Sequence, residues 1–211
     1  MFPVLLDLKG KRAVVFGGGK TASRRVMKLL KAGARVTVVS RDFSPGLERF
    51  KGDDLKLVKR EIKKGRRFIE NSDIVLIATD DHTLNDRLEK EARILGRMVN
   101  RADRPSDFII PATLETGDVT VSISTGGKSP AVAKNIKKRI KMVLSKDDLY
   151  LIELEEFARE KLKKTIKNQS KREKFLRELI NRSDIIEKIR SEDMEDAKRI
   201  VETMINAHDK H

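Results

Sequence analysis

RAVVFGGGKTASRRVMKLLKAGARVTVVS, residues 12–40, decides the fold of this chain. It opens on a valine-rich apolar run (12–16) that meets three glycines at once, and it closes on a second run of the same kind (35–40). Between them Ala22, Val26, Leu29 and Leu30 recur at helical spacing, and Gly33 stands where the helix must stop. A strand, a glycine turn, a helix and a second strand in immediate succession imply parallel strands joined by a right-handed crossover.

The pattern repeats outward from this unit. LKLVKR (55–60) reads as a third strand followed by a short basic connection, and DIVLIATDD (73–81) as an apolar strand that ends abruptly in polar residues. HTLNDRLEKEARILG then places Leu84, Leu88, Ala92 and Leu95 on one helical face with Gly96 as its stop. RMVN (97–100) is a fifth short strand and DFIIPA (107–112) a candidate sixth element. Strands and helices alternating through residues 1–112 predict an α/β fold, a Rossmann-like doubly wound parallel sheet.

Near Thr113 the character changes. DVTVSIST (118–125) alternates, with Val119, Val121 and Ile123 on one face, as a half-buried strand of a different sheet does. A helix follows over 129–144 with Ile136, Ile140 and Val143 as its apolar stripe. The remainder is charged and helical: Leu151, Leu154, Ala158, Leu162 and Ile166 mark one helix, and Phe175, Leu176, Leu179 and Ile180 a second. Met194, Ala197, Val201 and Met204 mark a last one, with Ser191 as its N-cap. The expected organisation is a dinucleotide-type domain over 1–112, a strand–helix segment over 113–145 and a helical C-terminal domain over 146–211.

Composition narrows the chemistry. No cysteine is present, so disulfides, thiolate metal sites and cysteine nucleophiles are excluded, and a cytoplasmic setting is the default expectation. The opening MFPVLLDLKGKR lacks a basic region before its short apolar run, so no secretory leader is expected, and no apolar stretch is long enough to span a bilayer. The net charge of +14 favours polyanionic partners. Nucleic acid is disfavoured among them, because eight Phe and one Tyr nowhere alternate with basic residues as a stacking platform would. None of His82, His208 and His211 has a neighbour at metal-ligand spacing, so no metal site is expected.

The glycine turn is the first functional motif. Gly17-Gly18-Gly19-Lys20-Thr21-Ala22 fits G-x-G-x-x-A directly after a strand and at the start of a helix. Gly17 permits the tight turn, Gly19 lets a pyrophosphate approach the backbone, and the helix N-terminus offers free N–H groups to the anion. At the end of the second strand stand Ser40, Arg41 and Asp42. Asp42 can accept from ribose hydroxyls and Arg41 can pair with a 2′-phosphate, so these residues leave both NAD and NADP open. Thr79 and Asp80 end the 73–78 strand and should face the cofactor, whereas Asp81 reads as the cap of the next helix. In Asn100-Arg101-Ala102-Asp103-Arg104-Pro105, a carboxylate near the expected nicotinamide can exchange a proton while hydride moves; a plain turn is the alternative.

STGGKSP (124–130) shares three letters with a phosphate-binding P-loop, but Ser122 sits where that loop requires glycine. It reads instead as a strand end, a Gly126-Gly127 turn, Ser129 as N-cap and Pro130 at the first helical position. Such a helix start, with Lys128 beside it, suits an anion.

VVFGGGKTASRRVMKLLKAGARVTVVS, IVLIATDD with Asn85, VNRAD, and FIIPATLETGDVTVSISTGGKSPAVAKNIKKRI together resemble the precorrin-2 dehydrogenase family over residues 1–145. That family is NAD-dependent and acts in siroheme synthesis, alone or as the dehydrogenase–ferrochelatase part of siroheme synthase. The resemblance implies oxidation of precorrin-2 to sirohydrochlorin with NAD, and a homodimer contacting through residues 113–145. It puts the catalytic aspartate on Asp103 and the cofactor contacts on Gly17, Gly19, Lys20, Thr21, Ser40, Arg41, Asp42, Thr79 and Asp80. Precorrin-2 is a many-carboxylate tetrapyrrole, which suits a basic chain; Arg101, Arg104 and Lys128 are the candidates to pair its carboxylates, with Ser124, Gly126 and Ser129 walling the pocket. Two departures stand out: Lys20 and Thr21 occupy positions where the family often has an acidic or polar residue followed by Val, and Ser40-Arg41-Asp42 is not an obvious acidic anchor. A bifunctional dehydrogenase–ferrochelatase and a non-catalytic NAD(H)-sensing module are the competing readings.

Overall fold

The computed structural model describes residues 2–50 and 52–208; the last histidine, His211, lies outside them. The chain divides into two compact units, Met1–Ile110 and Pro111–His211. In the first, β1 (Arg12–Phe16), β2 (Arg35–Ser40), β3 (Leu55–Lys59), β4 (Ile74–Ile77) and β5 (Met98–Arg101) form a parallel sheet in the order β3-β2-β1-β4-β5. The order reverses between β1 and β4, and the chain enters α1 (Lys20–Lys31) and α4 (His82–Ile94) from the carboxyl ends of those two strands. This is the doubly wound architecture read from the sequence.

The central strands are continuously apolar because both faces of the sheet are covered. Ala13, Val15, Val36, Val38, Ile74 and Leu76 pack on one side with Ala22, Val26 and Leu29 of α1. Val14, Phe16, Val39, Val75, Ile77 and Val99 pack on the other with Leu88 and Ala92 of α4. Two short helices that the sequence pattern did not reveal, α2 (Pro45–Glu48) and α3 (Arg66–Glu70), bring Leu47 to the first core and Ile69 to the second.

The candidate sixth element over 107–112 is not a strand of this sheet. Asp107 makes one backbone bond to Val99, and Phe108 and Ile110 then lay their side chains on the first core. Ala112 begins a separate strand instead.

In the second unit β6 (Ala112–Thr116) pairs antiparallel with β7 (Val119–Ile123). β7 shows the expected alternation, and Leu114 of β6 is buried, as is Ala133 of α5 (Pro130–Val143). The C-terminal region holds four helices among the described residues where three were expected: α6 (Lys146–Thr165), α7 (Gln169–Leu179), α8 (Ser183–Arg190) and α9 (Met194–His208). Leu154, Ala158, Leu162, Phe175, Leu179, Ile185, Ile189, Ala197 and Val201 make their common core. Ser191 does not cap α9: it ends α8, its hydroxyl donating to Lys188 O, while Asp193 Oδ1 accepts from Asp196 N. No helix among the described residues is long and apolar enough to cross a membrane.

Candidate active site

A cleft of about 980 Å³ opens where the strand order reverses. Its lining includes Gly17, Gly19, Lys20, Thr21, Ser40, Arg41, Asp42, Thr79 and Asp80, so the residues read as cofactor contacts share one cavity. The three glycines have different reasons to be glycine. Gly17 has φ +107°, and a Cβ there would lie 2.3 Å from Ala78 O. At Gly18, which the motif left unassigned, a Cβ would lie 2.0 Å from Asp42 O. Gly19 has ordinary extended backbone (φ −75°, ψ −175°), and a Cβ there would meet nothing within 4 Å. Nothing in the protein's own packing requires Gly19 to lack a side chain, and the backbone there is open to a ligand. Gly19 is also the N-cap of α1 and makes no side-chain cap bond, which leaves that helix start available to an anion. The turn therefore fits a dinucleotide pyrophosphate.

At the β2 end Asp42 is exposed and lies 3.5 Å from Lys59 Nζ. At the β4 end Asp81 caps α4 as expected, accepting from Leu84 N at 2.9 Å. Thr79 Oγ1 donates to Asn85 Oδ1 at 2.6 Å, and Asn85 Nδ2 returns a bond to Thr79 O at 3.0 Å. This reciprocal pair fixes the strand end on the helix.

Asp103 follows β5 at the same edge of the sheet, its side chain only 19% exposed. The Arg101 guanidinium grips it with a fork, Nε to Oδ1 at 2.9 Å and an Nη to Oδ2 at 2.6 Å. His82 Nδ1 lies 2.9 Å from Oδ2, and Asn85 Nδ2 lies 3.5 Å from it. Arg101 holds this carboxyl far below the usual aspartate range; burial opposes that and His82 adds to it.

Arg101 itself is not open to a substrate. Its side chain is 1% exposed, and its remaining donors go to Glu89 Oε2 at 2.9 Å and Asp86 Oδ1 at 2.5 Å. It serves as the anchor of Asp103 instead of pairing substrate carboxylates. Glu89, on the inner face of α4, also accepts from Arg104 and Arg93. Burial pushes its carboxyl up, but the donors from Arg104, Arg101 and Arg93 outweigh that and bring it down to about 2. Arg104 is half-exposed and keeps part of its guanidinium at the surface.

The remaining expected site residues lie in the second unit. Ser129 caps α5, accepting from Val132 N at 3.3 Å, with Pro130 in the first turn. Ser124 Oγ accepts from Gly126 N at 3.1 Å, and Thr125 Oγ1 from Ser129 N at 3.1 Å, so the Gly126-Gly127 turn is internally braced. Gly126, Lys128 and Ser124 are exposed. Among the described residues no cluster of three or more His, Asp or Glu could hold a metal ion.

The sequence reading missed the Glu89–Arg101 anchor and the contact of His82 with Asp103. Asn85 and Glu89, polar residues one turn apart on the inner face of α4, were the available signal for the first.

This sheet, turn and cleft define a dinucleotide-binding α/β protein with a fixed carboxylate at its rim. Residues 4–112 match the family described as "Putative NAD(P)-binding", and residues 117–141 the family described as "Sirohaem biosynthesis protein central". The chain belongs to the precorrin-2 dehydrogenase family. It is 33% identical to the "Putative precorrin-2 dehydrogenase" of Methanocaldococcus jannaschii, over 99% of this chain and 100% of that one. It is 31% identical to the "Precorrin-2 dehydrogenase" of Methanosarcina barkeri, over 82% and 80% of the two chains. The solved structure titled "SirC, precorrin-2 dehydrogenase" superposes with a TM-score of 0.73 at 25% identity, covering 96% of this chain and 100% of that one.

Proposed function

We propose that this chain oxidises precorrin-2 to sirohydrochlorin in siroheme synthesis, with NAD as the oxidant. The observation that carries the reading is the alignment, along one edge of one sheet, of a dinucleotide turn and an anchored carboxylate. NAD, when bound, supplies the acceptor for the hydride. Gly17, Gly19, Lys20 and Thr21 hold its pyrophosphate at the start of α1, Ser40, Arg41 and Asp42 meet the adenosine ribose, and Thr79 and Asp80 border the path toward the nicotinamide. Arg41 leaves NADP acceptable as well. Asp103 is the group on which the substrate's proton loss depends, since removal of a hydride from precorrin-2 must be matched by loss of a proton.

In this reading Arg104 of the first unit offers a cation, and in the second unit Lys128 and the start of α5, with Ser124, Gly126 and Ser129, offer a cation and helix N–H groups; each set suits a polycarboxylate. Residues 113–145 form the contact of a homodimer. What supports this is the apolar surface of α5, where Val132, Met142 and Val143 are 50%, 80% and 79% exposed.

The test is anaerobic formation of NADH from precorrin-2, run in parallel with NADP. Asp103→Ala should abolish turnover while calorimetric NAD binding stays at the wild-type level. Full activity in that variant would remove Asp103 from the mechanism, and NAD binding without turnover in the unaltered protein would favour a sensing module.

A further inference from the structure

Asp103 is poorly suited to receive a proton itself. Arg101 donates to both of its oxygens, and Oδ2 already faces His82 and Asn85 as well. A carboxylate so paired is held ionised far below its usual range, and its weak basicity makes it a slow acceptor near neutral pH. The neighbouring imidazole has the complementary properties. An ionised carboxylate can only accept hydrogen bonds, so the hydrogen in the 2.9 Å contact belongs to His82 Nδ1. In the neutral ring Nε2 is then a lone pair. The His82 side chain is 78% exposed and forms the first residue of α4, between Asp81 and Thr83, both of which line the dinucleotide cleft.

We propose that His82 Nε2 is the proton acceptor of the reaction and that Asp103 acts through it, fixing the ring's tautomer and orientation and stabilising the imidazolium. This rests on the dehydrogenase reading above. As the hydride leaves the substrate with its electron pair for the nicotinamide dinucleotide, the substrate's proton passes to Nε2. The imidazolium then returns the proton to water through the same exposed edge. The protein ends unchanged, and the substrate has lost one hydride and one proton. Arg101 keeps Asp103 anionic throughout, so the negative partner of the imidazolium is always in place. Charged groups at this end of the sheet include Asp80 and Asp81 between β4 and α4, Asp86 and Glu89 on α4, Arg101 at the end of β5, and Asp103 and Arg104 after it. Arg25 of α1 also interacts with Asp103.

The test compares unaltered protein with His82→Gln and His82→Ala in the precorrin-2 and NAD reaction from pH 5.5 to 9, alongside NAD binding by calorimetry. The unaltered protein should gain kcat as pH rises and the acceptor loses its proton. His82→Gln can still hydrogen-bond Asp103 but cannot carry a proton; it should lose kcat by roughly 100-fold or more and lose that limb of the profile. KM and NAD affinity should not change. Added imidazole should restore part of the rate in His82→Ala. Wild-type kcat and pH profile in His82→Gln would overturn the relay while leaving the dehydrogenase reading intact. An unaltered protein that binds NAD without turnover would overturn both.

Discussion

The contrast between Gly17 and Gly19 separates folding from binding within one turn. At Gly17 an alanine would have to adopt φ +107°, a strain of about 1–3 kcal/mol for a residue with a side chain. Its Cβ would also lie 2.3 Å from Ala78 O and 2.7 Å from Ala78 C, backbone atoms that can yield only by moving β4, which adds roughly 1–3 kcal/mol. Gly17→Ala should therefore lose about 2–6 kcal/mol, a large share of a typical domain's stability. Gly19 has backbone angles any residue adopts and open space before it, so Gly19→Ala should unfold within about 0.5 kcal/mol of the unaltered protein. Its methyl instead enters the space where the pyrophosphate must touch the backbone, and NADH affinity should fall at least about tenfold, or 1.4 kcal/mol. Urea unfolding and NADH calorimetry on the two variants read these outcomes separately. Unaltered NADH binding by Gly19→Ala would refute the placement of the pyrophosphate, and an unaltered urea midpoint for Gly17→Ala would refute the crowding argument.

Two further predictions concern the anchor and the α5 surface. The Glu89 carboxyl is brought from 4.5 to about 2 in the folded protein, equivalent to about 3.5 kcal/mol at roughly 1.4 kcal/mol per pH unit. Arg93 and Arg104 are half-exposed, so screening leaves roughly 1–2 kcal/mol. Because the folded value is the lower one, this stability is complete above about pH 4.5 and disappears as pH falls toward 2. The unfolding free-energy gap between the unaltered protein and Glu89→Gln should shrink over that window, and a pH-independent gap would contradict the anchor. Val143→Glu should convert the proposed homodimer to monomer in sedimentation velocity at micromolar concentration; an unchanged dimer would move the interface elsewhere.

The first half of the fold was legible because its central strands are buried on both faces and so read as nearly unbroken apolar runs, with glycine marking the turn between β1 and α1. α8 escaped notice because SDIIEKIR spans only eight residues, little more than two turns, and its two buried residues, Ile185 and Ile189, make too short a pattern. β6 was missed for a related reason: of ATLET only Leu114 is buried, so alternation is barely expressed. In the site, the residues read as cofactor contacts could be expected to share a cleft because they lie at or just after the ends of β1, β2 and β4, positions fixed by topology. The anchoring of Asp103 could not be anticipated, since Arg101 and its own partner Glu89 look like surface charges in a chain full of them. Only their convergence from β5 and α4 shows that both are buried.

The segment from Ala102 to Asp107 is pinned at both ends. Ser106 Oγ accepts from Arg101 N, Asp107 exchanges backbone and side-chain bonds with Val99, and Arg93 holds the Asp107 carboxylate at 2.8 Å. A stretch tied in this way is a bracket and not a hinge. Whatever clearance a bulky ring system needs on entering and leaving has to come from other parts of the protein, while Asp103 waits in position. The ordering of this corner is then complete before any substrate arrives, so a change at Ser106 or Asp107, remote from the reacting atoms, would register first as a slower turnover with little change in how well the cofactor is held.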